Sequence, residues 1–165
     1  WTTLTGCRAR LCKYQTESIK FSVTFQGKKR TLSVAINKLQ EGSKTEFVLN
    51  TKGMKSAIAP DIVHSLDGSL ILAVSARCAE EGLDDMWMVH DSFATHCADT
   101  VKFNRIIREE FIKLFGGDVL NDLYEDFRNQ LTDDQKDLII HPQTFGIQRG
   151  TYDINEILDS EFCFK

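Results

Sequence analysis

Apolar and polar residues alternate through Ile19-Lys20-Phe21-Ser22-Val23-Thr24-Phe25, which is the period-two signature of a strand. Gln26-Gly27-Lys28-Lys29 supplies a turn, and Thr31 to Ile36 and Thr45 to Leu49 read as further strands. Together they predict a small antiparallel element, too small to stand alone and attached to a larger body. From Pro60 the period changes to that of a helix. Val63, Leu66, Leu70, Ala73 and Val74 recur on one face, Pro60 and Asp61 suit a first turn, and Gly82 suits the C-terminal cap. Met86-Trp87-Met88-Val89 is an apolar strand, Asp91 stands at a bend, and Phe93 and Thr95 mark a second short strand. Two more helices are expected. Ala98 to Gly116 carries the stripe Phe103, Ile106, Ile107, Phe111 and Leu114, with Arg105, Arg108, Glu109 and Lys113 on wet faces. Leu120 to Leu131 carries Leu120, Leu123, Tyr124, Phe127 and Leu131. Leu131 to Gly150 reads as a linking excursion, with Asp133-Asp134 a helix start or solvated surface. Asp153 to Leu158 reads as a short helix, and Phe162 and Phe164 are expected to pack on the body.

Composition adds bounds. With 165 residues, 42% of them hydrophobic, the chain can fill a core of ordinary size. No run reaches the roughly 18 consecutive apolar residues of a membrane span, so no membrane partner is expected. The chain begins with Trp1 rather than Met and shows no secretory signal, which suggests a trimmed or processed piece. Five cysteines (Cys7, Cys12, Cys78, Cys97, Cys163) sit at no zinc-site spacing and read as reduced, structural thiols. Charge divides the chain. Residues 1–56 hold eleven Lys or Arg against three acids, and residues 57–165 hold nine against twenty-one. The basic part, through Lys28, Lys29, Arg30, Lys38 and Lys44, suits nucleic acid phosphates, or equally an acidic protein surface.

The candidate chemistry gathers on two stretches. An aspartate between two strands, as Asp91 is, can be held rigidly while pointing into a cleft, though hairpin turns favour aspartate anyway. The helix carries His64 and Asp67 three residues apart, with Ser65 beside them. Gly68 inside that helix costs about 1 kcal/mol against alanine, tolerable where backbone or a ligand comes close. No phosphate-cradling glycine loop, HExxH or Gly-x-Ser-x-Gly is present. His90, Asp91 and Ser92 are sequence neighbours, which alone makes no triad.

Taken in order, Ile58-Ala59-Pro60-Asp61-Ile62-Val63-His64-Ser65-Leu66-Asp67-Gly68-Ser69 and then Val89-His90-Asp91-Ser92-Phe93-Ala94-Thr95-His96 resemble a known pair. That pair belongs to the C-terminal palm of single-subunit DNA-dependent RNA polymerases of phages and mitochondria, where the second stretch is called motif C. Family A DNA polymerases share the His-Asp and usually follow it with Glu, so Ser92 favours the RNA polymerase branch. The likeness continues through Asp99 to Phe115, Leu120 to Leu131 and Asp153 to Phe164, and the tail is more similar to phage enzymes. Before Ile58 it is weak, although Trp1 to Gly6 is similar to the start of the family's strand-rich insertion. Cys7 to Tyr14 lacks the usual Gly-Phe-Pro, and Lys165 is an extra charge after Phe164.

The resemblance implies an α+β fold, a partial polymerase palm with helices packed on an antiparallel hairpin and a basic β-rich appendage in front. Residues 1–56 would form the appendage and 57–165 the palm half. It implies that Asp91 is one of two catalytic aspartates binding Mg2+, that His90 supports the turn near primer phosphate, and that His64 lines the site. Ser65 and Asp67 would stand beside it toward nucleic acid. Hard oxygen donors suit magnesium, and two such ions serve the attacking 3′ hydroxyl and the pyrophosphate leaving group. The second aspartate, the fingers residues that bind nucleoside triphosphate, and the thumb are not found in this sequence. The chain alone is therefore expected to be inactive, working with further polymerase chain or chains, DNA template, RNA product and nucleoside triphosphates. The expected location is the cytoplasm of a phage-infected bacterium, ahead of a mitochondrion. A family A DNA polymerase fragment and a non-catalytic, palm-like nucleic-acid-binding module are the alternatives.

Overall fold

The computed structural model describes residues 1–146 and 150–162. Cys163, Phe164 and Lys165, on which expectations about the fifth thiol and one terminal aromatic fell, lie outside the described residues, and Phe162, expected to pack on the body, is 79% exposed. In chain order the elements are β1 (Thr16–Phe25), β2 (Lys28–Asn37), α1 (Thr51–Glu80), β3 (Met86–Val89), β4 (Ser92–Thr95), α2 (Thr100–Phe115), α3 (Val119–Asn129) and the single turn α4 (Asp133–Lys136). Short 3-10 segments occupy Cys97–Asp99, Pro142–Phe145 and Ile154–Leu158. The expected α+β class holds, with two separate two-stranded antiparallel sheets. The chain forms two compact units, one of Arg10–Ile62 and one of Trp1–Ala9 with Val63–Lys165.

In the first unit β1 and β2 pair over ten residues each, with Phe21 opposite Leu32 and Ile19 opposite Val34. The turn is Gln26-Gly27 alone, both at positive φ (51° and 74°), as a two-residue type I′ hairpin requires. Lys28 and Lys29 therefore belong to β2 rather than to the expected turn. Every residue of the ribbon is exposed, and Ile19, Phe21, Val23, Leu32, Val34 and Ile36 share one uncovered face. Thr45 to Leu49 forms no regular strand; it contributes the bridges Leu39–Phe47 and Tyr14–Leu49, with the Tyr14 and Phe47 rings 5.3 Å apart.

Helix α1 starts nine residues before the expected Pro60. The Asn50 side chain accepts from the Gly53 amide at 2.8 Å, capping the new N-terminus. Pro60 then lies inside the helix and forfeits the bond to the Ser56 carbonyl, a cost of about 3 kcal/mol that tertiary packing must offset. By length and composition α1 is apolar enough to cross a membrane, with mean hydropathy 1.4 over its best window, contrary to the expectation from uninterrupted runs. Of this helix, Leu70, Val74 and Cys78 enter the core of the second unit, and 22% of the apolar window is buried.

That core joins Leu70, Val74, Cys78 and Leu83 to Phe103, Ile106 and Ile107 of α2, with Met86, Met88 and Phe93 packed against it. Val63, expected inside, is 61% exposed, and Leu120 on α3 is also exposed. Arg108 departs furthest from expectation: it is buried, 9% exposed, and not on a wet face. One of its terminal nitrogens (Nη1) donates to the carbonyls of Ile157 (2.7 Å), Leu158 (3.2 Å) and Ser160 (2.5 Å), tying the C-terminal segment to α2. Asp133 and Asp134 open α4, with Thr132 and Gln135 forming its capping box.

Candidate active site

The hairpin that carries Asp91 is fixed at its base before its tip is formed. Gly82 adopts φ 70°, and the Leu83 amide reaches back to the Cys78 carbonyl at 2.9 Å, the six-to-one bond that ends a helix on a left-handed residue. This seats Leu83 in the core and turns the chain into β3. Met86 pairs with Thr95 and Met88 with Phe93, and these face inward. Phe93 meets Phe103 edge to face with centroids 6.1 Å apart, Ser75 Oγ lies 3.9 Å from Met88 Sδ, and Thr95 Oγ1 donates to the Asp85 carbonyl at 2.7 Å. Cys78 against Leu83 and then Ser75 against Met88 show β3 running back along α1.

At the tip, Val89 pairs with Ser92, leaving His90 and Asp91 as a two-residue turn. His90 has φ 53°, and it alone of the two is at positive φ, the sign pattern of a type II′ turn, whose first position ordinarily takes glycine. A non-glycine residue there stores about 1–3 kcal/mol of strain. Asp91 and His90 are exposed. The field at the tip is negative: of the acids in residues 78–101, Glu81 is neutralised by Arg77, Lys102 and Arg105, whereas Glu80, Asp84, Asp85, Asp91 and Asp99 make no ion pair with Lys or Arg among the described residues. An exposed carboxylate on a rigid tip in that field favours a divalent cation. Among the described residues, however, no three His, Cys, Asp or Glu side chains converge to hold a metal. Asp91 supplies a donor of the right kind, and the ligand set is incomplete.

The other expected site residues are distributed unevenly. His64 is exposed on α1, while Asp67 and Ser65 are half-buried. The Ser65 hydroxyl accepts from the Trp1 indole at 3.0 Å, so it already serves packing. A Cβ added to Gly68 meets nothing within 4 Å, so none of the described residues requires glycine there. Lys28, Lys29 and Arg30 belong to the other unit and do not share a face. Lys28 and Arg30 lie opposite Phe25 and Val23 on the apolar side, whereas Lys29 lies opposite Thr24 on the side lined by Ser18, Ser22, Thr31 and Ser33.

Pattern reading passed over the cluster at the hairpin's base. Glu81 binds Arg77 at 2.7 Å, Arg105 at 3.0 Å and Lys102 at 3.8 Å, and Arg105 also reaches Glu109 at 2.9 Å. The hydrogen bond from Arg77, with the charges of Arg105 and Lys102 behind it, holds the Glu81 carboxyl below the usual carboxylate range. Spacing could have found the pair Arg77–Glu81 at i,i+4, but Arg105 and Lys102 arrive from α2, and only folding brings them there.

Comparison with known proteins identifies the chain's relatives. A family model described as DNA-dependent RNA polymerase matches residues 19–146. DNA-directed RNA polymerase 1A of Nicotiana tabacum is 36% identical over 114 residues, which are 69% of this chain and 68% of that protein. DNA-directed RNA polymerase 1, mitochondrial, and DNA-directed RNA polymerase 3, chloroplastic, both of Nicotiana sylvestris, are each 36% identical, over 114 and 126 residues. The chain spans only 11% and 12% of those two relatives. The organelle names of these relatives leave the expected phage-host cytoplasm without support. Since the matched stretch covers well over half the sequence and contains both the His64 helix and the Asp91 hairpin, the chain belongs to the DNA-dependent RNA polymerase family.

Proposed function

We propose that this chain is the part of a DNA-directed RNA polymerase that contributes one metal-binding carboxylate, Asp91, to nucleotidyl transfer. The observation carrying this reading is the tip itself, an exposed aspartate on a strained two-residue turn whose flanking strands are pinned to the core. Bound magnesium would neutralise charge on the nucleoside triphosphate and lower the pKa of the attacking 3′ hydroxyl. The described residues provide only a share of its ligands, so a second carboxylate must come from polypeptide outside this chain, together with the residues that grip the triphosphate. In this reading the β3 and β4 strands hold Asp91 at a fixed point, and His90 fixes the direction of its backbone. His64, with Asp67 one turn on, borders the same centre along α1, and Ser65 keeps that helix in place through Trp1.

The ribbon takes the nucleic acid backbone in this proposal. A two-stranded ribbon is narrow enough to enter a DNA major groove. The face with Lys20, Lys29 and the serine and threonine hydroxyls suits phosphates and base edges, while Lys28 and Arg30 lie on the opposite, apolar face. DNA template, RNA product and nucleoside triphosphates are the implied partners. The relatives' names make a mitochondrion or chloroplast the proposed location.

The test is templated RNA synthesis by the assembled polymerase with Asp91 or with Asp91→Asn, which keeps the shape and removes the charge. Synthesis should fall by about 10²–10³-fold or more, the scale for removing one preorganised charge-stabilising group, while template binding persists. Undiminished synthesis by the variant would sink the proposal and leave a nucleic-acid-binding module.

A further inference from the structure

The hairpin has a second face that the catalytic reading does not use. Because Met86, Met88, Phe93 and Thr95 point inward, Trp87 and Val89 with their cross-strand partners Ala94 and Ser92 point outward. Trp87 is 62% exposed and Val89 44% exposed. Ala94 is too small to cover the indole opposite it, so one aromatic face is left in water. Beside it lies an open groove of about 370 Å³ lined by Asp85, Met86, Trp87, Ala94, Thr95 and His96. The Asp85 carboxylate stands at the rim, itself exposed and 3.7 Å from His96 Nε2.

An aromatic face and a carboxylate at its border, with no Lys or Arg among the residues that line it, together define a cation-accepting groove. A guanidinium fits it best. It is planar and stacks on an indole, and its fork of N–H donors matches a carboxylate. Phosphate-bearing strands are disfavoured at this end of the hairpin, where Asp84 and Asp85 stand at the entry to β3 and the cations Arg77, Arg105 and Lys102 are already engaged with Glu81. We propose that this groove docks an arginine side chain presented by a basic segment of a partner polypeptide. Charge complementarity selects that occupant, and the site is independent of the role given to Asp91 at the tip.

The experiment is an NMR titration of the 165-residue chain with the peptide acetyl-Gly-Gly-Arg-Gly-Gly-amide, read at the amide resonances of Ala94 and Thr95. Saturable shifts are expected in the millimolar range. Trp87→Ala should weaken binding about fivefold to tenfold, and Asp85→Asn about threefold. Both positions are exposed, so the variants should keep the core resonances of Val74 and Ile106, which shows in the same spectra that they fold. The peptide with neutral citrulline in place of arginine should not shift Ala94 or Thr95. Three results would each overturn the proposal: equal binding of the citrulline peptide, arginine-peptide affinity unchanged by Trp87→Ala, or shifts produced by a single-stranded oligonucleotide and not by the peptide. None of these readouts involves RNA synthesis, so they stand or fall apart from the Asp91 test.

Discussion

Replacing Arg108 with methionine should release the C-terminal segment from α2 while leaving the core intact. Methionine keeps most of the aliphatic stem and removes the guanidinium. What is lost is the terminal nitrogen that donates to the carbonyls of Ile157, Leu158 and Ser160. That nitrogen has two hydrogens for three oxygens, so about two strong bonds operate at once. Each charge-assisted bond contributes about 1.5–3 kcal/mol. The freed carbonyls lie near the surface and regain water, which roughly halves the sum to about 1.5–3 kcal/mol. A second effect has the opposite sign. Arg108 Nε is buried with no hydrogen-bond partner among the described residues, and methionine abolishes that cost. Global stability should therefore fall less than local stability. In hydrogen exchange, amides of residues 156–160 should exchange about 10–150 times faster, while those of Val74 and Cys78 change little. Unchanged protection at 156–160, or an equal loss throughout the core, would refute the reasoning that one side chain clasps this segment.

Three further outcomes follow from named contacts. Glu81 has a carboxyl pKa lowered by folding, so its contribution is complete above its unfolded value of about 4.3 and is lost as pH falls through the lower folded value. Glu81→Gln should lower the denaturant midpoint at pH 7 and converge on the parent in acid; a constant difference across pH would contradict the assignment. Gly68→Ala should stabilise α1 by about 1 kcal/mol in thermal unfolding, because the added methyl meets open space. If RNA synthesis by the assembled polymerase then drops while stability rises, a ligand approaches the helix there; if synthesis holds while stability rises, the glycine is idle, and unchanged stability would refute the prediction. His90→Gly should be neutral or stabilising by up to about 1 kcal/mol, since relief of strain at φ 53° is partly offset by unfolded-state entropy, whereas His90→Val should destabilise. Equal denaturation midpoints for glycine and valine would show that the turn relaxes freely.

The sequence by itself determined the local elements and the family. Alternation from Ile19 to Phe25 made β1, the stripe from Phe103 to Leu114 made α2, and the two stretches around His64 and Asp91 carried the polymerase resemblance, because period and short motifs are properties of adjacent residues. Tertiary structure decided what depends on distant partners. Helix α1 runs through Pro60 to a start capped by Asn50, nine residues before the one that short-range signals indicate. Arg108 left its expected wet face because carbonyls some fifty residues later satisfy it. Pairing register put Lys29 and Arg30 on opposite faces of one ribbon, although they are neighbours in the chain. Asp91 was legible as a candidate in the sequence, but the left-handed backbone of His90 that fixes its turn was not. Its cause is a two-residue link closed between strands already pinned by Phe93 and Met88 to the core, a constraint that exists only once those strands have packed.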